Sequence, residues 1–212
     1  GRQGLKAQPA PAEAFEPVWC AWGYGRDFTF KQVYGALPIV GKLGFRWVTL
    51  DDGWQTAEGD WFLNPKKFPR GDRDMKMFVD GIHAAGFKAQ LWWAPLAADP
   101  GTELMRKQPD LALLNADGSK QKISWWDSWY LCPADARVVQ YHTALVRKIV
   151  GEWGFDGLKL DGQHMNGVPP CHNPAHKHAS PEASVEALPH FFKAIYDAAR
   201  SIKPGALVEF CP

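Results

Sequence analysis

The segment Gly154-Phe-Asp-Gly-Leu-Lys-Leu-Asp-Gly-Gln163 is an apolar run that is interrupted by one lysine and followed by a carboxylate. Its residues 155–160 are predicted to form a short strand, because a parallel strand covered on both faces has a nearly continuous apolar sequence. Lys159 and Asp161 are two positions apart and therefore face the same side of that strand. This pair fits either a nucleophile held ionised beside a cation or a structural ion pair at a strand end.

Short apolar segments alternate with longer amphipathic segments along the whole chain. Candidate strands lie at 18–22, 46–50, 87–95, 155–160 and 206–211. Candidate helices lie at 28–43, 74–85, 136–153 and 182–202, with Asp135 as the predicted N-cap of the third. This alternation predicts βα units, a parallel sheet and an α/β fold. In a barrel of such units, functional side chains lie at the carboxyl ends of the strands.

Composition bounds the class of protein. The chain has 212 residues, 46% of them hydrophobic, which is enough for one sizeable core. A net charge of +1 gives no electrostatic basis for binding nucleic acid or an anionic membrane. No apolar run approaches the roughly twenty residues that cross a bilayer. Residues 1–16, with Pro9 and Pro11 among alanines, are predicted to be a linker from a preceding domain, and 17–212 the barrel segment.

Four cysteines are widely spaced and include no CxxC pair, which argues against a redox motif, a zinc ribbon or a disulfide framework. Unpaired cysteines fit a cytoplasmic location, and a secreted protein whose signal has been removed also fits. The loop 166–180 contains Cys171, His172, His176 and His178. Its Cys-x4-His-x-His spacing matches no zinc finger, so we expect a rigid histidine-rich surface loop and no metal or cofactor.

Asp51 and Asp52 form a second carboxylate pair, directly after the strand at 46–50. Adjacent residues alternate sides, so one carboxylate can face the barrel mouth while the other reaches into the next loop. Ionised carboxylates accept hydrogen bonds from hydroxyl donors, which suits the vicinal hydroxyls of a sugar. A calcium site or a loop cap would use the same residues.

Aromatic residues are unusually abundant, with eleven tryptophans. Trp92 and Trp93 are neighbours on a predicted strand, so one of them must face the mouth. An exposed ring there could stack on the apolar face of a sugar, and packing inside the barrel is the alternative.

Six short motifs occur in an order that resembles the catalytic barrel of α-galactosidases. They are Asp51-Asp-Gly-Trp54, Gly59-Asp-Trp61 with Phe68-Pro69, Leu91-Trp-Trp-Ala-Pro95, Gln108-Pro-Asp110, Leu158-Lys-Leu-Asp161 and Glu209-Phe-Cys211. Each motif is short, but the ordered set is specific. It resembles the melibiase-like group of glycoside hydrolase family 36, which includes raffinose-synthase-like proteins.

The resemblance implies a (β/α)8 TIM barrel, of which this chain covers about the first five βα units. It also implies retaining hydrolysis of terminal α-galactosides, with Asp161 as the nucleophile that forms a covalent galactosyl intermediate. Lys159 would bind the sugar and keep Asp161 ionised. Asp51 and Asp52 would bind the hydroxyls at positions 4 and 6, and Trp92 would wall the galactose subsite.

Two further sugar contacts are implied at the last motif. Cys211 would approach the 2-hydroxyl of the ring, and Glu209 would support it. The expected partner is an α-galactoside oligosaccharide, and the protein could form a homo-oligomer. No cofactor is implied.

The chain departs from the family pattern in two places. The stretch 130–132, where the family usually has an aspartate, ends here in Cys132 followed by Pro133. Gly162-Gln163 resembles the raffinose-synthase-like branch as much as the melibiase branch, so galactosyl transfer stays an alternative to hydrolysis.

A retaining glycosidase needs two carboxyl groups about 5 Å apart. In the family, the acid/base aspartate follows the sixth barrel strand, which would lie beyond Pro212. We therefore expect these residues to be a segment of a longer enzyme and to be inactive alone. Two alternatives remain. One is a galactoside-binding protein without catalytic activity, and the other is a metal-binding or purely structural barrel fragment, which would use the loop that contains Cys171 and His178.

Overall fold

The computed structural model describes residues 10–162 and 168–211. Its strands are β1 Val18–Cys20, β2 Trp47–Leu50, β3 Lys88–Trp93, β4 Ala97–Ala98, β5 Lys122–Ile123, β6 Ser128–Tyr130, β7 Gly157–Asp161 and β8 Leu207–Cys211. Its helices are α1 Phe30–Lys42, α2 Asp72–Ala84, α3 Glu103–Lys107, α4 Ala136–Arg147, α5 Ala183–Glu186 and α6 Leu188–Ile202.

Five parallel strands form the main sheet, in the order β1-β2-β3-β7-β8. Because each strand pairs with the next barrel strand along the chain and helices occupy the connections, the sheet is the first part of a (β/α)8 barrel. The predicted α/β fold with a parallel sheet is confirmed. An insertion between β3 and α4 adds a small antiparallel sheet in the order β4-β6-β5.

The helices begin and end for local reasons. The Thr29 side chain and Gln32 form a capping box at the start of α1, which continues through Pro38 to Lys42. Asp135 caps α4 as predicted, since its side chain accepts the backbone N–H of Arg137. The predicted helix 182–202 is in fact two helices, because Pro189 lacks an N–H donor and starts the first turn of α6.

The end of the predicted helix 136–153 also differs from a regular helix. After Arg147 the chain makes a π-helical turn, Lys148–Glu152. Ile149 and Val150 of this turn are both buried. Trp153 follows, and its indole Nε1 donates to Asp72 Oδ1 at 3.0 Å, which fixes the end of the turn against α2.

Strand register decides which side chains share the inner face of the sheet. Trp92 pairs with Lys159, Lys159 pairs with Glu209, and Asp161 pairs with Cys211. Side chains at paired positions of parallel strands project from the same face. A side chain at Gly157 on this face would approach the Trp47 ring at 3.1 Å, so glycine leaves room for the indole.

Most of the tryptophans pack in the core. Trp54 and Trp61 stack with ring centroids 6.0 Å apart, and both are buried. Trp22 and Trp125 are more than half exposed, at 52% and 65%. The abundance of tryptophan therefore reflects packing more than exposed stacking surfaces.

The predicted linker 1–16 is only partly described, since residues 1–9 lie outside the described part of the chain. Ala12–Phe15 forms a 3-10 turn, and Glu16 Oε2 accepts the Trp47 indole N–H at 2.8 Å. The domain boundary at residue 16 stays a prediction. Among the described helices, none is long and apolar enough to cross a membrane.

His142 of α4 is completely buried between aromatic rings. Its ring centroid lies 5.1 Å from that of Trp93 and 5.6 Å from that of Phe191. Neither ring nitrogen has a hydrogen-bond partner among the described residues. Burial lowers the pKa of His142 to about 3.

We expect His142→Leu to stabilise the protein by roughly 1–2 kcal/mol, because it removes unsatisfied buried polar atoms. The folded-state pKa is below the ordinary value, so the unfolded chain binds a proton first and wild-type stability falls as pH falls through the histidine range. Leucine abolishes this dependence, so the gain should grow in acid. Urea denaturation near neutral pH, and about one unit below the ordinary histidine pKa, measures both effects.

The exposed His190 provides the control, since His190→Ala should leave the stability and its pH dependence nearly unchanged. A His142→Leu protein that is less stable than wild type at both pH values would contradict this interpretation.

Candidate active site

The side chains predicted to be functional meet on the inner face of the sheet, in two layers. The deeper layer is a chain of hydrogen bonds across three strands. Thr49 Oγ1 donates to Gln90 Oε1 at 2.6 Å, and Gln90 Nε2 donates to Glu209 Oε2 at 2.9 Å. Glu209 therefore contacts Gln90 and is paired in register with Lys159. It precedes Cys211 by two residues on β8, so both side chains face the same side of the sheet. No hydrogen bond between Glu209 and Cys211 occurs among the described residues, but the charge of Glu209 is one of the causes that raise the pKa of the Cys211 thiol. The support of Cys211 by Glu209 stays a prediction.

Asp51 is the centre of the upper layer and is only 3% exposed. Its Oδ2 accepts Lys159 Nζ at 2.9 Å and Cys20 Sγ at 2.9 Å. Its Oδ1 accepts the backbone N–H of Asp52 at 2.9 Å. A carboxylate has about four lone-pair positions, so these three bonds leave about one acceptor position for a further donor.

Lys159 donates a hydrogen bond to Asp51. The prediction that Lys159 binds the sugar and keeps Asp161 ionised stays a prediction. Burial alone would lower the pKa of Lys159, but the hydrogen bond and negative charge of Asp51 raise it above the ordinary value. The negative charge of Asp161 acts on the lysine in the same direction. Lys159 is therefore a stable cation, which is hydrogen-bonded to Asp51 and attracted by the charge of Asp161.

Asp161 has a different direct partner. Its Oδ2 accepts the indole N–H of Trp92 at 2.7 Å. Trp92 is only 2% exposed, and it packs edge-on against Trp61 and Trp126 at centroid distances of 6.3 and 6.1 Å. This burial fits packing inside the barrel, one of the two alternatives that the sequence left open, because neighbouring indoles cover the ring. Trp92 also orients the Asp161 carboxylate, and its role as a wall of the galactose subsite stays a prediction.

Asp52 projects into the adjoining loop. Its Oδ1 accepts Gln55 Nε2 at 2.7 Å and lies 3.3 Å from the Arg26 guanidinium. Burial nevertheless raises the pKa of Asp52 above its ordinary value. Gly53 has a positive φ of 108°, and a side chain there would collide with the Arg26 backbone, so this turn requires glycine.

Two cysteines complete the upper layer. Cys211 pairs in register with Asp161, and burial together with the Asp161 charge raises the pKa of its thiol. Cys20 is a residue of the site that was not predicted from the sequence. Burial, then the hydrogen bond to Asp51, raises the pKa of Cys20 to about 12, so the thiol remains a donor. Its place at the carboxyl end of the first strand is the signal that could have identified it, because functional side chains of such barrels lie at strand ends.

A second cluster of reactive side chains lies in the loop that follows β7. Cys171, His176 and His178 meet Cys132 there, and each offers one ligand atom within 4.8 Å of the others. His172 is exposed and is not part of this cluster. The spacing in the loop supplies only three of the four groups, so sequence reasoning missed the contribution of Cys132. Part of the predicted loop, residues 163–167, lies outside the described residues.

Comparisons with known proteins agree on one family. The family model described as Melibiase matches residues 14–211. An "A type blood alpha-D-galactosamine galactosaminidase" from Flavonifractor plautii is 33% identical over 96% of this chain and 20% of its own length. The α-galactosidase AgaA from Geobacillus stearothermophilus is 31% identical over 41% of this chain and 12% of its own length.

Solved structures show the same likeness. The α-galactosidase TtGalA from Thermus thermophilus, in complex with p-nitrophenyl α-D-galactopyranoside, superposes with a TM-score of 0.73 and 28% identity. The match covers 92% of this chain and 38% of that protein. The chain thus spans about a fifth of the Flavonifractor relative and under two fifths of the Thermus enzyme.

Glu58 lies near Asp52 in the loop after β2 and is 2% exposed. Burial, followed by the hydrogen bond and charge of Asp99, raises the pKa of Glu58 to about 7. The folded state therefore keeps this proton while the unfolded chain releases it, so stability is lost as pH rises from about the ordinary glutamate pKa to about neutrality. The physical reason is that burial of the ionised Glu58 side chain is unfavourable.

We expect Glu58→Gln to remove this loss and to stabilise the protein by about 2 kcal/mol above neutral pH, with little gain in mild acid. Denaturant titrations across this range measure the effect. Glu152→Gln, at an exposed glutamate, is the matched control. An unchanged pH slope in Glu58→Gln would show that Glu58 does not control it.

Proposed function

The chain belongs to the melibiase family, and from this membership we propose that it provides the nucleophile and part of the sugar-binding site of a retaining α-galactosidase. The observation that carries the proposal is the position of Asp161. This carboxylate ends β7 on the inner face of the sheet, is oriented by Trp92, and lies beside the Lys159–Asp51 pair. Carboxylates at the ends of barrel strands are the usual catalytic groups of this fold.

In the proposed reaction, Asp161 attacks the anomeric carbon while the bond to the leaving-group oxygen breaks. Trp92 donates to Oδ2, and Oδ1 accepts no side-chain hydrogen bond among the described residues, so Oδ1 is the attacking oxygen. The product is a β-linked galactosyl ester. The leaving oxygen takes a proton from the acid/base carboxyl that we expect beyond Pro212, and water then hydrolyses the ester.

Sugar recognition is assigned to the upper layer of the site. The remaining acceptor position on Asp51 suits one hydroxyl donor of the sugar. Asp52, which projects into the adjoining loop, would accept a hydrogen bond from a second hydroxyl. Lys159 would donate to a ring hydroxyl while it stays bound to Asp51. Cys211 would lie on the 2-hydroxyl side, in register with Asp161.

Relatives support an α-galactoside substrate. Solved structures of the Thermus thermophilus enzyme are in complex with p-nitrophenyl α-D-galactopyranoside and with stachyose. Hydrolysis and galactosyl transfer share the same intermediate and differ only in whether water or a sugar hydroxyl takes the galactosyl group.

A second candidate substrate is an α-galactosaminide. The Flavonifractor plautii relative, whose name specifies galactosamine, aligns with 96% of this chain, whereas the AgaA match covers 41%. Galactosamine has an ammonium group in place of the 2-hydroxyl. Glu209, one step from Cys211 on the inner face, would attract this cation.

The nucleophile can be tested by intact-mass spectrometry of the full gene product after incubation with an activated 2-deoxy-2-fluoro-galactosyl donor. We expect the mass of one fluorogalactosyl group to be added in the wild type and to be absent in Asp161→Asn, because the amide is a far weaker nucleophile. Asp197→Asn, at an exposed aspartate of α6, is the control that should still be labelled. An unlabelled wild type that still binds galactose would indicate a binding protein without catalysis.

Substrate choice can be tested with p-nitrophenyl α-galactoside and p-nitrophenyl α-galactosaminide. If the galactosaminide is the substrate, Glu209→Gln should lower its kcat/KM by about tenfold more than that of the galactoside, because a charge-assisted hydrogen bond contributes roughly 1.5 kcal/mol. Equal losses for both substrates would exclude recognition of the ammonium group by Glu209. Product analysis with an added sugar acceptor separates transfer from hydrolysis.

A further inference from the structure

Four potential metal ligands from two distant parts of the chain meet outside the active site. They form what we call the thiol–imidazole cluster, which consists of Cys132, Cys171, His176 and His178. Cys132 follows β6, whereas the other three residues belong to the loop between β7 and α5. Neither segment contains a complete metal motif, so the cluster exists only in the folded chain.

We propose that the thiol–imidazole cluster binds one Zn²⁺ ion as a closed, structural, tetrahedral site. Two sulfurs and two imidazole nitrogens are a standard donor set for structural zinc, and four protein ligands leave no open position for substrate.

The distances fit this coordination. Zn–S bonds of about 2.3 Å and Zn–N bonds of about 2.0–2.1 Å in a tetrahedron place neighbouring ligand atoms roughly 3.3–3.8 Å apart. All four candidate atoms already lie within 4.8 Å of one another, and Cys171 Sγ lies 3.2 Å from His176 Nδ1. Small side-chain rotations would therefore bring all four atoms onto one ion.

The surroundings of His176 prepare one ring nitrogen for a metal. Its Nε2 lies 2.7 Å from the carbonyl oxygen of Asp110, and Asp135 Oδ2 lies 3.4 Å away. Since a carbonyl only accepts, Nε2 carries the proton and Nδ1, which faces Cys171, presents its lone pair. Metal-bound histidines characteristically donate their other N–H to a carbonyl or carboxylate in this way.

Burial and access support the same conclusion. Cys132 and Cys171 are completely buried, and His176 is 6% exposed. The Nε2 atom of His178 is also buried and has no hydrogen-bond partner of regular geometry among the described residues. A surface pocket lined by Asp135, His176 and His178 opens beside the cluster and offers the ion a route inward.

Two other chemistries would use some of these groups. A Cys132–Cys171 disulfide would leave both imidazoles without a role, and both cysteines are free in the structure. A nucleophilic Cys171–His176 pair would need solvent access, but Cys171 is completely buried and a second thiol lies against it. Zinc is the alternative that employs all four groups.

The proposed ion would fasten the loop after β7 to the insertion that precedes α4. That loop already docks there, because Asn173 Nδ2 donates to the carbonyls of Asp110 and Ala112 at 2.9 and 2.8 Å. His172 N donates to Leu114 O at 2.9 Å. The same insertion carries Trp126, which packs against Trp92. Bound zinc would therefore make the loop after β7 and the insertion before α4 more rigid, and these two segments flank the strand that carries Asp161.

The test is metal analysis of the full gene product, purified with reductant and zinc and then desalted. We expect about one equivalent of zinc per chain by plasma mass spectrometry. After exchange into cobalt, we expect the visible d–d bands of a tetrahedral site and the charge-transfer absorption of thiolate ligands. Cys171→Ser and His178→Ala should lose the zinc and these bands and should melt several degrees below wild type.

The matched control is His172→Ala, which alters the exposed neighbour of Cys171 and should keep full zinc content. If Cys171→Ser fails to fold, cobalt titration of wild type and of His178→Ala decides the question independently. Folded wild type that takes up neither metal would overturn the proposal. So would a Cys132–Cys171 disulfide that mass spectrometry detects in protein kept under reductant.

Discussion

The Lys159–Asp51 ion pair is the interaction on which the site depends. It spans from β7 to β2 over the intervening β3, with a 2.9 Å contact between largely buried groups. A buried charge that lost its partner would be strongly destabilising, so each residue requires the other. The pair forms because three adjacent strands are parallel and in register, which places the side chains of Asp51 and Lys159 on the same inner face.

Polar groups on the inner face are therefore arranged by function and by depth. In the deeper layer, Gln90 joins Thr49 to Glu209 and thereby ties the strands together. The upper layer keeps a free acceptor position on Asp51 and an oriented carboxylate on Asp161. A buried polar network is stable when each of its groups has a hydrogen-bond partner. The upper layer differs, because its free acceptor position lies where a ligand would bind.

The support of Asp161 extends into the insertion between β3 and α4. Trp126 of this insertion packs on Trp92, whose indole N–H holds Asp161. The loop after β7 also docks against the insertion, through Asn173 and the thiol–imidazole cluster. A carboxylate at a strand end is thus positioned by segments far apart in sequence.

The sequence by itself determined the α/β fold, the five barrel strands and the strand-end positions of Asp51 and Asp161, because hydrophobic periodicity and alternation are local properties. Only the tertiary structure decided which partners these groups have. In the folded chain Lys159 binds Asp51, and the buried Trp92 donates a hydrogen bond to Asp161. Cys132 lies against the loop after β7. Such contacts depend on register and on packing between distant segments, and neither is encoded within a single stretch of residues.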